Sequence, residues 1–296
     1  MRLPRRSPRP TKPVPTRSRP TKPVPTKPVP TRSRLTSPVP TWARAVWRRD
    51  LLLLRDAPWG LLISLASTVL GVLLFGLLGR FVGSGTGYVT FVISGIVFLR
   101  VVDAVVQAPG QGLREERSRG SLEVLLDAPQ APYALVLAGG VVPALRSLLE
   151  GAIALGIASL LFDAQLTPGW RELIALPLAV LGLLLLALAA GLLLAAASLQ
   201  SRAATAASSF FGLAIAMTAG VYYPQTALPA WLRVASELSP FTAALSGLRS
   251  ALTHGGHLGR SLGVTFSAAL LLGLLGAVLM TRAVRQARQS GAFARG

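Results

Sequence analysis

Six stretches of this chain are apolar for long enough to cross a bilayer, and that removes most folds at once. No water reaches the hydrocarbon core, so every backbone amide there must be satisfied within its own segment or a closed barrel. Runs this long and this rich in leucine and alanine can do so only as helices. The spans are expected at Trp59–Leu78, Tyr88–Gln107, Tyr133–Leu161 with a bend at Pro143, Leu173–Leu199, Ala204–Tyr222 and Ser261–Met280. The fold class that follows is all-α, a polytopic membrane protein with six transmembrane helices.

Composition excludes several kinds of chemistry. The chain has no cysteine and two histidines, so disulfides, thiolate catalysis and sulfur-ligated metals are ruled out, and no metal site is expected. His254 and His257 share one loop, read as a solvated turn. The three lysines, Lys12, Lys22 and Lys27, all precede the first span, so no phosphate-binding loop of the GxxxxGK[ST] type exists. The chain carries no ATPase motif and is not expected to be an enzyme.

The formal charge of +19 is unevenly placed. Residues 1–41 hold 11 basic and no acidic side chains, together with 12 of the 22 prolines. TKPVPT recurs from Thr11, Thr21 and Thr26, and a TSPVPT variant starts at Thr36. Proline at this density forbids helices and sheet ladders, so a disordered basic repeat tail is expected rather than a lipid- or nucleic-acid-binding arm. Residues 42–285 are expected to form the transmembrane domain and 286–296 a short tail. Trp42–Asp56 mixes two tryptophans and four arginines with a leucine run, which suits an N-terminal interfacial helix.

Basic residues set the orientation. Placing the N-terminus inside puts Arg44, Arg48, Arg49, Arg55, Arg114, Arg117, Arg119, Arg202, Arg282, Arg285 and Arg288 on the cytoplasmic side. The other side keeps Arg80, Arg171, Arg233, Arg249 and Arg260. The excess favours a multi-pass protein of the plasma or inner membrane with both termini in the cytoplasm. The connection Tyr223–Arg260 is then external. In it Leu228, Trp231, Leu232, Ala235 and Leu238 recur at helical spacing, as do Phe241, Leu245, Leu248 and Leu252. Pro224, Pro229 and Pro240 punctuate it, giving two short outer-leaflet helices between spans five and six.

Four charges interrupt the apolar runs. Arg100 and Asp103 lie three apart, and Arg146 and Glu150 four apart, so each pair shares a helix face. A charge at the membrane centre costs about 2.5–3.5 kcal/mol on insertion scales. Each pair lies toward the loop end of its helix, so pairing near the inner interface is expected over a proton or ion relay. An ion-coupled secondary transporter using these four residues is the alternative function.

Two motifs carry a family likeness. One is EERSRGSLEVLLDAP at 115–129; the other joins GVYYP at 220–224 with LPAWL at 228–232 and SPFTAALSGLR at 239–249. With these the chain resembles the permease subunit of the type-2 ABC exporters, which move drugs, lipids and polysaccharides. The resemblance implies a dimer, with a second copy or a similar permease, and separate ATPase subunits that bind the ATP and magnesium. It also implies a cytoplasmic coupling helix at Glu115, Glu116, Arg117, Gly120, Leu122, Glu123, Leu125 and Leu126. An outer lid would include Tyr223, Pro224, Pro229, Trp231, Pro240 and Arg249. The coupling reading agrees with the residues: Leu122, Leu125 and Leu126 form an apolar strip that a soluble groove can bury, with charges to fix its register.

Overall fold

The computed structural model describes residues 47–48, 58–81, 85–118, 139–162, 169–200, 202–253 and 258–289. Among them there are eight helices and no strand. They are α1 (Pro58–Phe81), α2 (Gly85–Ser118), α3 (Val141–Phe162), α4 (Trp170–Gln200), α5 (Arg202–Thr218), α6 (Ala230–Leu238), α7 (Pro240–Leu252) and α8 (Leu258–Gln289), with a 3₁₀ turn at Gln225–Ala227. Five of them, α1, α2, α3, α4 and α8, are long and apolar enough to cross a membrane. The chain is a multi-pass membrane protein.

The long helices sit close together because glycines remove side chains at the crossings. Helix α4 packs on α8, α2, α7 and α5. A β-carbon on its Gly182 would lie 3.2 Å from Thr265 on α8, and one on Gly191 would lie 2.8 Å from the Val106 carbonyl on α2. Between these contacts runs the main core, including Phe98, Val102 and Val105 of α2, Leu183 and Leu186 of α4, Ile215 of α5 and Leu245 of α7.

A second cluster joins α1, α2 and α3 through Val72, Ile93, Val97, Ala154 and Phe162. Here α1 and α3 run parallel in fixed register. Gly60 faces Arg146, Ser64 faces Glu150 and Gly76 faces Phe162, always 86 positions apart. Helix α2 runs the other way, with Val97 against Gly151 and Val89 beside Gly79. The starts of α1 and α3 and the end of α2 therefore lie on one side of the bundle.

Several expectations need adjusting. Helix α2 does not end near Gln107 but continues without a break for 34 residues, to Ser118. Leucine, arginine, glutamate and glutamine in its last turns are good helix formers, and Pro109 is accommodated inside it. Pro143 is the third residue of α3, where its missing N–H breaks no helical bond; a turn at Gly140 precedes the helix, and residues 133–138 of the expected span lie outside the described residues. Helix α5 has 17 residues, about 26 Å, and stops short of Tyr222, so it falls just below the length of a full span. The chain turns there at Gly220, whose φ of 72° is a left-handed conformation that glycine adopts without strain. Of the interfacial helix expected at Trp42–Asp56, only Trp47 and Arg48 are described, and both are helical.

Candidate functional site

The charges inside the bundle fall into two unlike sites. Near the starts of α1 and α3, Arg146 Nε donates to Glu150 Oε1 at 2.8 Å. Glu150 Oε2 accepts from Ser64 Oγ at 2.8 Å, and Arg146 Nη2 donates to the Gly60 carbonyl at 3.2 Å. Both charges are thus satisfied by each other and by α1. This is the pairing the i, i+4 spacing predicts, and it works as a polar clasp between two parallel helices. Ser64 and Gly60 carry no sequence signal of that role.

Arg100 and Asp103 behave differently. No ion pair joins them, although their spacing predicts one, and Arg100 is exposed. Asp103 is turned toward α5, where its carboxylate occupies the space that a β-carbon on Gly212 would need. Tyr222 lies within electrostatic range of both, its ring stacked on Phe75 of α1 with centroids 5.2 Å apart. A half-buried acid and an exposed guanidinium, one turn apart on α2, therefore meet a phenol from the turn after α5.

Nearer the Gly85 end of α2, Arg249 anchors α7. Its Nη2 shares its hydrogens among the carbonyls of Phe91 at 2.9 Å, Gly220 at 3.1 Å and Val221 at 3.3 Å. Its Nε donates to Ser94 Oγ at 3.2 Å, and the guanidinium lies 3.6 Å over the Phe91 ring. No carboxylate among the described residues pairs with it. Burial draws its pKa down to about 10, so it remains a cation at neutral pH. Gly95 makes room for the arrangement, since any β-carbon there would collide with the Val221 carbonyl. A guanidinium suits this position because its planar fork reaches several acceptors at once.

The other expected lid residues are spread out. Tyr223 donates through its hydroxyl to the Met217 carbonyl at 3.1 Å, capping the end of α5. Pro224 precedes the 3₁₀ turn, Pro229 immediately precedes α6, and Pro240 opens α7. Trp231 is 74% exposed and Leu238 79%, so the apolar face of α6 points away from the bundle. In α7 Phe241, Leu245, Leu248 and Leu252 are all buried.

Of the expected coupling residues, Glu115, Glu116 and Arg117 form the last turn of α2 instead of a separate helix. Gly120, Leu122, Glu123, Leu125 and Leu126 lie outside the described residues, as do the repeat tail, His254 and His257.

Comparison with protein families matches residues 42–253 to the ABC-2 type transporter family. The chain belongs to that family. It is a type-2 ABC permease, a transport component. The match spans α1 to α7, including the clasp, the Arg100 site and the Arg249 anchor of this permease. No curated protein matches the sequence.

Proposed function

We propose that this permease is the membrane subunit of an ATP-driven exporter, working as a dimer whose two protomers enclose the cargo route. Six helices cross the membrane, with α5 completing its span through the turn at Gly220. Both termini face the cytoplasm of a plasma or inner membrane. Two separate ATPase subunits bind ATP and magnesium and act on residues 115–126. Their closure pushes these segments together, the spans tilt, and the route opens outward under α6 and α7. Nucleotide drives this only through its different affinity for the two states.

The observation that carries the reading is the register of α1 and α3 beside an antiparallel α2. The end of α2 and the start of α3 lie on the side where α1 begins, which supports a coupling role for the sequence motif that joins them. That is also the side with the basic excess. The ion-coupled alternative loses two of its four residues, because Arg146 and Glu150 are engaged with each other and with α1.

Glu123→Lys tests the reading. In membranes holding the permease and its ATPase, the variant should insert normally and leave ATP hydrolysis running while export falls. Unaltered export in this variant would remove the coupling role.

A further inference from the structure

The outward face of α2 changes character half-way along. Val89, Ile93, Ile96 and Val97 share one angular sector with Arg100, Gln107, Gln111 and Arg114, since helical steps of three, four and seven residues return to nearly one direction. Toward the Gly85 end this sector is apolar and buried, and α1 and α3 cover it through Val72, Ala154 and Phe162. From Arg100 onward it is only partly covered: Arg100 and Gln111 are exposed, and Asp103, Gln107 and Arg114 are half-buried. Val101, Val102, Val105 and Val106, on the other sides of the same turns, are buried. The result is a polar ladder about 21 Å long that leads from the Ser118 end to a stop at Arg100.

Lipid does not account for this face. The middles of other long helices expose apolar side chains, as at Leu70 and Leu74 on α1 and Leu271 and Leu274 on α8, and their exposed charges, such as Arg171 on α4 and Arg282 on α8, sit toward the helix ends. Guanidinium and carboxamide groups on a spanning helix face water or protein, because hydrocarbon offers them no partner. At the closed end Arg100 has no described carboxylate in ion-pairing range, and Asp103 is turned into α5. The guanidinium is what the ladder presents there.

Resting on the exporter reading above, we propose that α2 from Arg100 to Arg114 is the wetted wall of the cargo route, and that Arg100 at its blind end receives an anionic group, phosphate or carboxylate, of the cargo. A guanidinium takes such a group by paired N–H donors. Gln111 and Arg114 below it give a polar group successive partners on the way up. The anion belongs either to an amphiphile entering from the inner leaflet or to a soluble molecule entering from the cytoplasm.

The chain has no cysteine, so single cysteines introduced into the full-length protein read out against a silent background. Gln107→Cys and Gln111→Cys are compared with Leu74→Cys and Leu274→Cys in phosphatidylcholine nanodiscs. The probes are a sulfonate and a trimethylammonium methanethiosulfonate, both water-soluble. The ladder positions should react about tenfold faster than the lipid-facing ones or more, since the charged reagents do not enter hydrocarbon. The sulfonate should be favoured, and Arg100→Gln should abolish that preference.

Protection by an anionic phospholipid added to the nanodiscs, without protection by inorganic phosphate, assigns an amphiphile. Protection by inorganic phosphate assigns a soluble anion, and protection by neither overturns the role of Arg100. Unreactive ladder cysteines, or disulfides between the ladders of two copies, overturn the wetted wall. Labelling as expected in a protein that shows no ATP-dependent transport with any ATPase would instead defeat the exporter reading and leave the wall standing.

Discussion

The carboxylate of Asp103 on α2 fills the space beside Gly212 on α5 where any other residue would carry its β-carbon. The same exclusion recurs at Gly95 with a harder partner, the backbone carbonyl of Val221. A side-chain tip can swing away and a backbone carbonyl cannot. Gly212→Ala should therefore cost on the order of 1 kcal/mol, and Gly95→Ala about 2–3 kcal/mol. Adding Asp103→Ala to Gly212→Ala should recover most of the loss. Thermal melting of the detergent-purified variants checks the order, and equal losses at the two glycines would contradict it.

Arg249 should be hard to replace. Arg249→Ala strands the carbonyls of Gly220 and Val221 and leaves Ser94 without its donor, a loss of about 3 kcal/mol or more, since a bond to a charged group is worth about 1.5–3 kcal/mol. Arg249→Lys keeps the charge but not the fork, so it should recover less than half. The pH profile follows from the lowered pKa of about 10. Below that value the group is charged whether folded or not, so the burial cost is constant. Above it the unfolded chain holds the proton longer, and stability from this residue rises with pH. Melting temperatures of wild type and Arg249→Lys should keep a constant separation between pH 6 and pH 9.

The clasp between α1 and α3 is a pair with shared partners, so its members should not be additive. Arg146→Ala and Glu150→Ala each leave a charge facing α1 alone. The double variant should be more stable than the two single losses predict, by roughly 0.5–1 kcal/mol given that Arg146 is 30% exposed and Glu150 12%. Strict additivity in a melting-based cycle would mean that the contact does not persist in the membrane.

Removing residues 1–41 should leave insertion and export intact. Those residues carry 11 of the 30 basic side chains, yet the family match begins at residue 42. A truncated permease that inserts but no longer exports would assign the repeat a working role.

What the sequence disclosed depended on the range of each interaction. Periodicity located α7 correctly, with Phe241, Leu245, Leu248 and Leu252 all buried. The same periodicity in α6 marked a face that points outward, because spacing defines a stripe but not what covers it. Hydropathy marks the end of a span at Gln107 but not of the helix, because helix propensity does not fall there and α2 runs on to Ser118. The Arg146–Glu150 pair was legible because both partners are four residues apart on one helix. The partners of Arg249 were not, since they are mostly backbone carbonyls, 28 and 158 positions away, and carry no residue identity. Asp103 and Gly212 were equally hidden: an acid suggests a cation, and here it meets a gap left by glycine.

The constant interval of 86 between facing residues of α1 and α3 makes these two helices a pair of rails tied by a sleeper at Arg146 and Glu150. A tug on the chain just ahead of Val141 cannot slide one rail past the other without breaking that tie. Whatever hauls on the Val141 end of α3 hauls on α1 too, so the smallest moving part on this flank of the protein is a plank two helices wide.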